Sequence, residues 1–526
     1  MNKGQITFDG GQDDPPALTD LRILITASEA YPALEEAFLS AKSEISASFL
    51  VFDLRTRLRS AAGREIGETW FDLIVACLRR GVRLRIVLSD FDPIARAKMH
   101  RGTWHSLRMF CAAAEVAGPG ADMRVTAAMH PARTGAVLRL LISPLIMARV
   151  WRTAGWLNGL DLPERDAALR DMPGVARLMT TTTTGRVRPK LWPLPTLTPG
   201  THHQKIAVID RSLLYVGGLD LNERRYDDTR HDRPADQTWH DVQLLARGAV
   251  AQTAAAHLDG FLDVAAGRTE ATARRSPFLT TLSRKRAFDA FSFGPEPVVS
   301  DLFDTHLAAV SRSTDLIYLE SQYFRDRKLA RALAHAARRN PRLGVILILP
   351  GAPEELAFEG RDGLDTQMGE WYQAQCLRRL QRAFGSRLFI GGAAQKRKLR
   401  GGRETLAEAP LIYIHAKVSV FDLREAIVSS ANLNGRSFRW DTESGLHLTD
   451  PDHVALLRRR CMEHWLPRGA DGSFYDAQSA VAAWRGLALA NAARSPEDRD
   501  GFIVPYDLRA AETFGTAVPF LPEEMV

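Results

Sequence analysis

Apolar positions in this chain gather into short, nearly unbroken runs separated by longer amphipathic stretches. In the first half the runs are SASFLVF (46–52), GVRLRIVLSD (81–90) and HHQKIAVID (202–210). In the second they are DLIYLESQYF (315–324), LGVILILPG (343–351) and IYIHAKVSVFD (412–422). Runs this short and this apolar predict strands buried on both faces. Between them, TWFDLIVACLRRG (69–81) and MGEWYQAQCLRRLQRAFG (368–385) read as helices stopped by Gly81 and Gly385. Strands alternating with helices predict an α/β fold.

The same three strands come in the same order twice, so the chain contains an internal repeat. At one offset of 212 positions His203 meets His415, Lys205 meets Lys417, Val208 meets Val420, Asp210 meets Asp422, Asn222 meets Asn434 and Arg224 meets Arg436. The expected organisation is two related lobes, 19–270 and 285–465, joined through the polar stretch GRTEATARRSP (267–277) and followed by a tail region, 466–526. Residues 118–200 are an insertion in the first lobe without a counterpart of similar length. Their last part, TTTTTGRVRPKLWPLPTLTPG (180–200), reads as an irregular loop. Beside the motif, the insertion is a candidate lid or substrate entrance, or a surface ornament.

Composition narrows the partners. A chain of 526 residues with 45% hydrophobic and 25% charged residues is ordinary for a globular protein of more than one core. The net charge of +7 favours anionic partners, phospholipid head groups or nucleic acid. The four cysteines, Cys77, Cys111, Cys376 and Cys461, have no paired spacing, which argues against a disulfide framework or a zinc site built on them. The first 20 residues have no apolar stretch and read as neither a signal peptide nor an anchor. The expected location is therefore cytoplasmic by default, or outside by a signal-independent route. The most apolar region, Leu138 to Leu160, is broken by Arg139, Pro144, Arg149 and Arg152, short of the about 20 apolar residues a bilayer span needs. With Trp151 and Trp156 it reads as an interfacial helix or as one packed on its own domain.

The repeated motif carries the chemistry. In an extended strand His203 and Lys205 share a face about 6.5 Å apart, so one phosphate reaches both. A protonated lysine has no lone pair for a metal, which makes histidine plus lysine an anion site with a nucleophile or acid beside it. If the lobes pack about a pseudo-twofold axis, two histidines and two lysines surround one phosphorus: one imidazole attacks while the other protonates the departing oxygen. Asp210 and Asp422 lie seven positions past their histidines, an odd interval that turns them to the opposite face, where bracing a turn is the expected duty. His202 reads equally as a hydrogen-bonded neighbour or a participant, His240 as a packing partner of Trp239, and Glu320 with Gln322 as a buried strand or an entrance lining. The basic run AQKRKLRGGRE (394–404) reads as a solvated loop or, on its charge alone, as a contact for head groups or nucleic acid.

Two copies of His-x-Lys-x4-Asp, each followed by a small-residue turn and an asparagine, resemble the phospholipase D superfamily. HHQKIAVID, YVGGLDLNERRYDD, TWHDVQLL, IYLESQYF, SSANLNGRSFRWDTESGL and GFIVPYDL are similar to the phospholipase D enzymes proper. The resemblance implies two pseudo-symmetric α-β-α lobes with the active site at their interface. It implies a catalytic set of His203, Lys205, Asp210, His415, Lys417 and Asp422, with His203 forming the phosphohistidine and His415 protonating the leaving alcohol. Lys205, Lys417 and Asn432, with Asn222 and Asn434 assisting, would bind the non-bridging oxygens. Asp241 and Glu443 match the carboxylates that orient the histidines, with the pairing left open. Two positions depart from the pattern: Asp220 stands where the second half has Asn432, and Ser429 stands where glycine is more usual. The implied reaction is hydrolysis of glycerophospholipids to phosphatidic acid at a membrane surface, with transfer to alcohols. It needs no metal and no cofactor, and the chain is expected to act as a monomer without nucleic acid. A phosphatidyltransferase such as a cardiolipin synthase, a nuclease and a catalytically idle membrane-binding protein are the alternatives.

Overall fold

A computed structural model describes residues 17–271, 277–287, 290–360, 362–519 and 521–526. Part of the connector 267–277 and most of the amino-terminal segment lie outside the described residues. The architecture is mixed α/β with two large sheets. The first is built from β1 (Asp20–Ile25), β2 (Glu44–Phe49), β3 (Arg83–Asp90) and β4 (Met123–Met129), and, after the small ribbon β5 (Met179–Thr181) and β6 (Val187–Pro189), from β7 (Ile206–Ile209), β8 (Leu213–Gly217) and β9 (Val242–Arg247). The second takes β10 (Phe278–Arg284), β11 (Glu296–Ser300), β12 (Leu316–Glu320), β13 (Gly344–Ile348) and β14 (Leu388–Ala393). After the ribbon β15 (Thr405–Leu406) and β16 (Ala409–Pro410) it adds β17 (Val418–Phe421), β18 (Glu425–Ser429), β19 (Glu443–Leu448) and β20 (Ile503–Pro505).

The sheet orders are β1-β9-β8-β7-β2-β3-β4 and β11-β10-β19-β18-β17-β12-β13-β14-β20. Seven consecutive strands of the second therefore follow the order of the first, with β11 and β20 added at the edges. Directions agree as well: β2, β3 and β4 run parallel, as do β12, β13 and β14, and the remaining ladders among the seven are antiparallel. Register agrees to the residue where the two motif strands pair, Ser48 with Ile206 and Glu320 with Val418.

Both motif strands are buried on both faces, which is why they read as continuous apolar runs. Ile206 and Val208 pack in a core to which both sheets contribute, together with Val418 and Val420. On their other faces Ala207 and Ile209 join the outer core of the first half, and Phe421 that of the second. The helices Trp70–Arg79 and Leu364–Phe384 cover these outer faces, and Gly81 and Gly385 follow them with positive φ (81° and 57°), as glycines past a helix end do.

The insertion has its own small core, where Ile146, Val150, Ala154 and Leu157 of the helix Ala136–Asn158 meet Met172, Val175, Met179 and Val187. Ribbon β5–β6 corrects the reading of 180–200 as wholly irregular, since Met179 pairs with Pro189 and Thr181 with Val187 across the Thr-rich turn. The segment after 465, read from sequence only as a tail, supplies the helix Ala480–Ala493 and the edge strand β20 on β14. No helix among the described residues is long and apolar enough to cross a membrane.

Candidate active site

The motif histidines do not lie in regular strands. β7 starts at Ile206 and β17 at Val418, so each histidine and lysine precedes its strand. At that point each segment leaves its own sheet to pair with the other half. His203 N donates to Thr442 O (2.8 Å) and Thr442 N to Thr201 O (2.9 Å); His415 N donates to His240 O (2.8 Å) and His240 N to Tyr413 O (2.9 Å). Thr442 and His240 immediately precede the two carboxylates, so each bridge delivers a carboxylate from one half to the histidine of the other.

His203 Nδ1 lies 3.0 and 3.1 Å from the two oxygens of Glu443, and His415 Nδ1 lies 2.6 Å from Asp241 Oδ2. Each carboxylate thus occupies Nδ1 and leaves Nε2 for reaction. His203 and His415 line one cleft of about 220 Å³, together with Asn432, Asn434, Arg225 and Arg436. Lys205 and Lys417 are fully buried just behind it. Lys205 Nζ donates to His203 O (2.5 Å) and lies 3.7 Å from Asp220; Lys417 Nζ donates to His415 O and lies 2.9 Å from His415 Nδ1.

Burial dominates the electrostatics. Both imidazoles are held well below the usual histidine range, first by desolvation and next by the ammonium of their own motif lysine. Desolvation raises Asp241 and Glu443 to about 7 against the pull of Lys417 and Lys205 respectively. It also lowers Lys417 to about 7, opposed by Asp241. Lys205 is lowered by burial too, but Asp220 opposes that, and Lys205 with Arg225 in turn holds Asp220 below the carboxylate range despite its burial.

Other candidate residues fall elsewhere. Asp210 and Asp422 are not on the cleft, which takes them out of the catalytic set. Each sits at a left-handed turn (φ 49° and 55°) that closes its strand. Asp210 accepts the amides of Lys42, Ser43 and Glu44 at the start of β2, and Asp422 those of Thr314, Asp315 and Leu316 at the start of β12. Asn222 also leaves the phosphate-binding set: its side chain caps the turn Glu223–Arg225, accepting from Arg224 N (2.8 Å), and lines a neighbouring cavity. Asn434 lines the cleft but spends its oxygen on Ser437 N (3.0 Å). Gln322 reaches the cleft, whereas Glu320 is buried behind it with His240 and Tyr318. His202 accepts or donates at Thr442 Oγ1 (2.8 Å), a role in the bridge.

Arg225 and Ser430 were missed by sequence reasoning. The Arg225 guanidinium pairs with Asp220 and sits 4.9 Å over the Trp239 ring, which packs at a tilt of 37° against His415. Ser430 donates its hydroxyl to Glu443 Oε2 (2.5 Å). The 212 offset places Gly218 opposite Ser430, and at Gly218 a Cβ would collide with the Asp241 carboxylate. Glycine there admits one carboxylate, and serine here binds the other. Ser429 is accommodated in the same way. Its ladder partner is Gly445, whereas Gly217 faces Gln243, so the small residue has moved across the ladder and the turn is kept.

Residues 307–465, which contain the second motif, match the family described as cardiolipin synthase, PLD-like domain. Among curated proteins, the chain is 23% identical to Phospholipase D1 of Schizosaccharomyces pombe over 48% of its own length and 25% of that protein's. It is 22% identical to Phospholipase D2 of Bos taurus over 47% of its length and 37% of that protein's, so well under half of each relative is covered. The phosphatidylserine synthase of Haemophilus influenzae overlays 91% of this chain and 95% of its own at 13% identity and a TM-score of 0.46. The part of the second half that holds the second motif thus matches a PLD-like domain model.

Proposed function

We propose that this protein transfers the phosphatidyl group of a glycerophospholipid to an alcohol by double displacement on phosphorus. The observation that carries the reading is the crossed pairing of His203 with Glu443 and His415 with Asp241 around one cleft. His203 Nε2 attacks phosphorus and the bond to the head-group oxygen breaks, with His415 giving that oxygen its proton. The acceptor then gives its proton to His415 while its oxygen attacks phosphorus and the P–N bond to His203 breaks. His203 is the nucleophile because its side chain is 15% exposed to the cleft against 4% for His415. Lys205, Lys417, Asn432, Arg225 and Arg436 stabilise the negative charge that builds on the non-bridging oxygens. On this reading the halves, 19–270 and 285–465, are pseudo-symmetric lobes sharing one active site, and both motifs on one chain make the monomer sufficient.

A lipid substrate is supported by the surface beside the cleft. A second cavity of about 750 Å³ adjoins it through Arg96, Glu355, Asp365 and Thr366, and its far wall is Arg149, Arg152 and Trp156 of the insertion helix. The same helix leaves Leu140, Leu141, Leu145 and Trp151 exposed, a composition suited to the head-group region of a bilayer. The description of the matching family as a cardiolipin synthase favours an alcohol acceptor. Hydrolysis to phosphatidic acid is the second reading, favoured by the phospholipase D relatives. Incubation with phosphatidylcholine vesicles plus glycerol should yield more phosphatidylglycerol than phosphatidic acid. Phosphatidic acid as the main product selects hydrolysis, and cleavage of single-stranded DNA with no lipid product would overturn both.

A further inference from the structure

Behind the catalytic cleft, three histidines that the proposed reaction does not use come together. His231 lies in the loop after Asp227, His240 in the segment that bridges to His415, and His464 near the end of the helix Pro451–Trp465. One ring nitrogen from each lies within 4.8 Å of the other two. His231 Nε2 and His464 Nε2 are 2.8 Å apart, and the His240 and His464 rings stack with centroids at 4.5 Å.

Buried carboxylates set two of the three tautomers. Asp227 accepts His231 Nδ1–H (2.7 Å) and Glu320 accepts His240 Nε2–H (2.8 Å), which leaves the lone pairs on His231 Nε2 and His240 Nδ1. His240 is fully buried, and its Nδ1 has no hydrogen-bond partner. Asp227 is itself fixed by Trp239 N (2.8 Å), and Glu320 by the Tyr318 hydroxyl (2.6 Å) and Trp465 Nε1 (3.1 Å). A carboxylate behind each imidazole is the arrangement that orients and strengthens histidine ligands. The fold does not demand the cluster: at the corresponding places of the other bridge the chain has Thr442 for His240 and Ser48 for Glu320.

We propose that His231, His240 and His464 bind one divalent transition-metal ion of the zinc class, which ties the first half of the chain to the second directly behind Asp241. Imidazole suits this class, and three histidines leave a fourth position for water. His231 and His464 line a surface cavity of about 820 Å³, which gives the ion its path. The 2.8 Å between the two Nε2 atoms is a hydrogen-bond distance. For metal–nitrogen bonds of about 2.0–2.1 Å in tetrahedral geometry they part by about half an ångström. Because His240 O accepts the His415 amide and Asp241 follows it, the ion braces the segment that positions the second catalytic histidine.

The test uses the full chain without a polyhistidine tag, stripped with chelator and titrated with Co2+ as a visible probe and with Zn2+ in competition. One Co2+ per chain with the strong visible absorption of a four-coordinate site of three nitrogens and one water is expected. His203→Ala should bind it as tightly as the unaltered protein, whereas His464→Gln and His231→Gln should bind it at least about 100-fold more weakly with an unchanged circular dichroism spectrum. Absence of stoichiometric Co2+ binding by the unaltered protein overturns the proposal even if a variant fails to fold. Binding unchanged by His464→Gln, or lost in His203→Ala, overturns it too. None of these readouts depends on which phosphodiester the enzyme turns over.

Discussion

The two half-sites share a framework and differ in charge. Lys205 and Arg225 both face the Asp220 carboxylate, whereas the place corresponding to Asp220 holds the neutral Asn432 on the cleft. Burial lowers both lysines: Lys205 is supported first by Asp220, whereas Lys417, supported first by Asp241, is lowered to about 7 and lies against His415 Nδ1. His203 is the more open imidazole and His415 the more enclosed. The strand order of the two halves is the same, and the differences lie in a few side chains at the site.

The sharpest way to break this comparison is to remove one imidazole at a time. His203→Ala and His415→Ala should each lower kcat by about 10⁴-fold or more, since nucleophile and acid act as a unit. Their intermediates should differ. On a p-nitrophenyl phosphodiester the leaving group needs no proton, so His415→Ala should release one equivalent of p-nitrophenol and stall as a phosphohistidine, while His203→Ala gives no burst. A burst from His203→Ala and none from His415→Ala would exchange the two roles.

Next in size are the carboxylates. Asp241→Asn and Glu443→Gln should lower kcat by about 10²–10⁴-fold, the range for losing a carboxylate that fixes a catalytic tautomer. Because each acts through the histidine of the other half, Asp241→Asn should add little to the loss in His415→Ala, and Glu443→Gln little to the loss in His203→Ala. They also make a stability test. Asp241 titrates near 3.8 when unfolded and about 7 when folded, so the folded state binds the extra proton between those values. Its contribution to stability is full below pH 4 and lost as pH rises through 7. Asp241→Asn should therefore flatten the dependence of Tm on pH between 4 and 7, which melting curves at successive pH values measure.

Much of this was legible in the sequence, for a physical reason. Strands buried on both faces write themselves as apolar runs, so β2, β3, β7 and their later counterparts could be located, and a constant offset aligned the histidines, lysines and asparagines. What escaped depends on packing between distant segments. The expectation that His203 and Lys205 lie within the motif strand is corrected, because both precede β7, where the chain leaves its sheet to bridge the other half. For the same reason the partner of each carboxylate was left open, being a contact 240 and 174 residues apart. The offset matches Asn222 to Asn434, and both side chains are consumed by caps, of Glu223–Arg225 and Gly435–Arg439. It does not find Arg225, one position beyond the aligned Arg224, which lines the cleft.

A smaller effect sharpens the contrast of the lysines. Asp220→Asn gives the first half the neutral side chain of the second. Asp220 raises the Lys205 pKa, so its loss lowers it and the alkaline limb of kcat/KM should move to lower pH. Asp220 also raises His203, so the acid limb should move the same way. Both limbs shifting downward, with kcat at the optimum reduced by about tenfold or less, is the expected profile. A limb that rises would show that Asp220 acts only as a structural partner of Arg225 and Val51, whose amide it also binds (2.8 Å).

The smallest effect on turnover belongs to the motif aspartates, where the halves are most alike. Asp210 holds three amides at the start of β2 and Asp422 three at the start of β12, with Ser43 and Thr314 hydroxyls added. Burial works against the Asp210 carboxylate, but the Ser43 hydroxyl and these amides hold it below the usual range, so it stays ionised near neutrality. Alanine at either place frees amides that water must then satisfy, at a cost of about 1–3 kcal/mol. Asp422, the more buried of the two, should cost more, and kcat per folded molecule should stay within about twofold of the unaltered enzyme in both. Chemical denaturation read beside active-site titration separates the two quantities. A loss of kcat with unchanged stability would return these residues to the chemistry, against the amide contacts that now account for them.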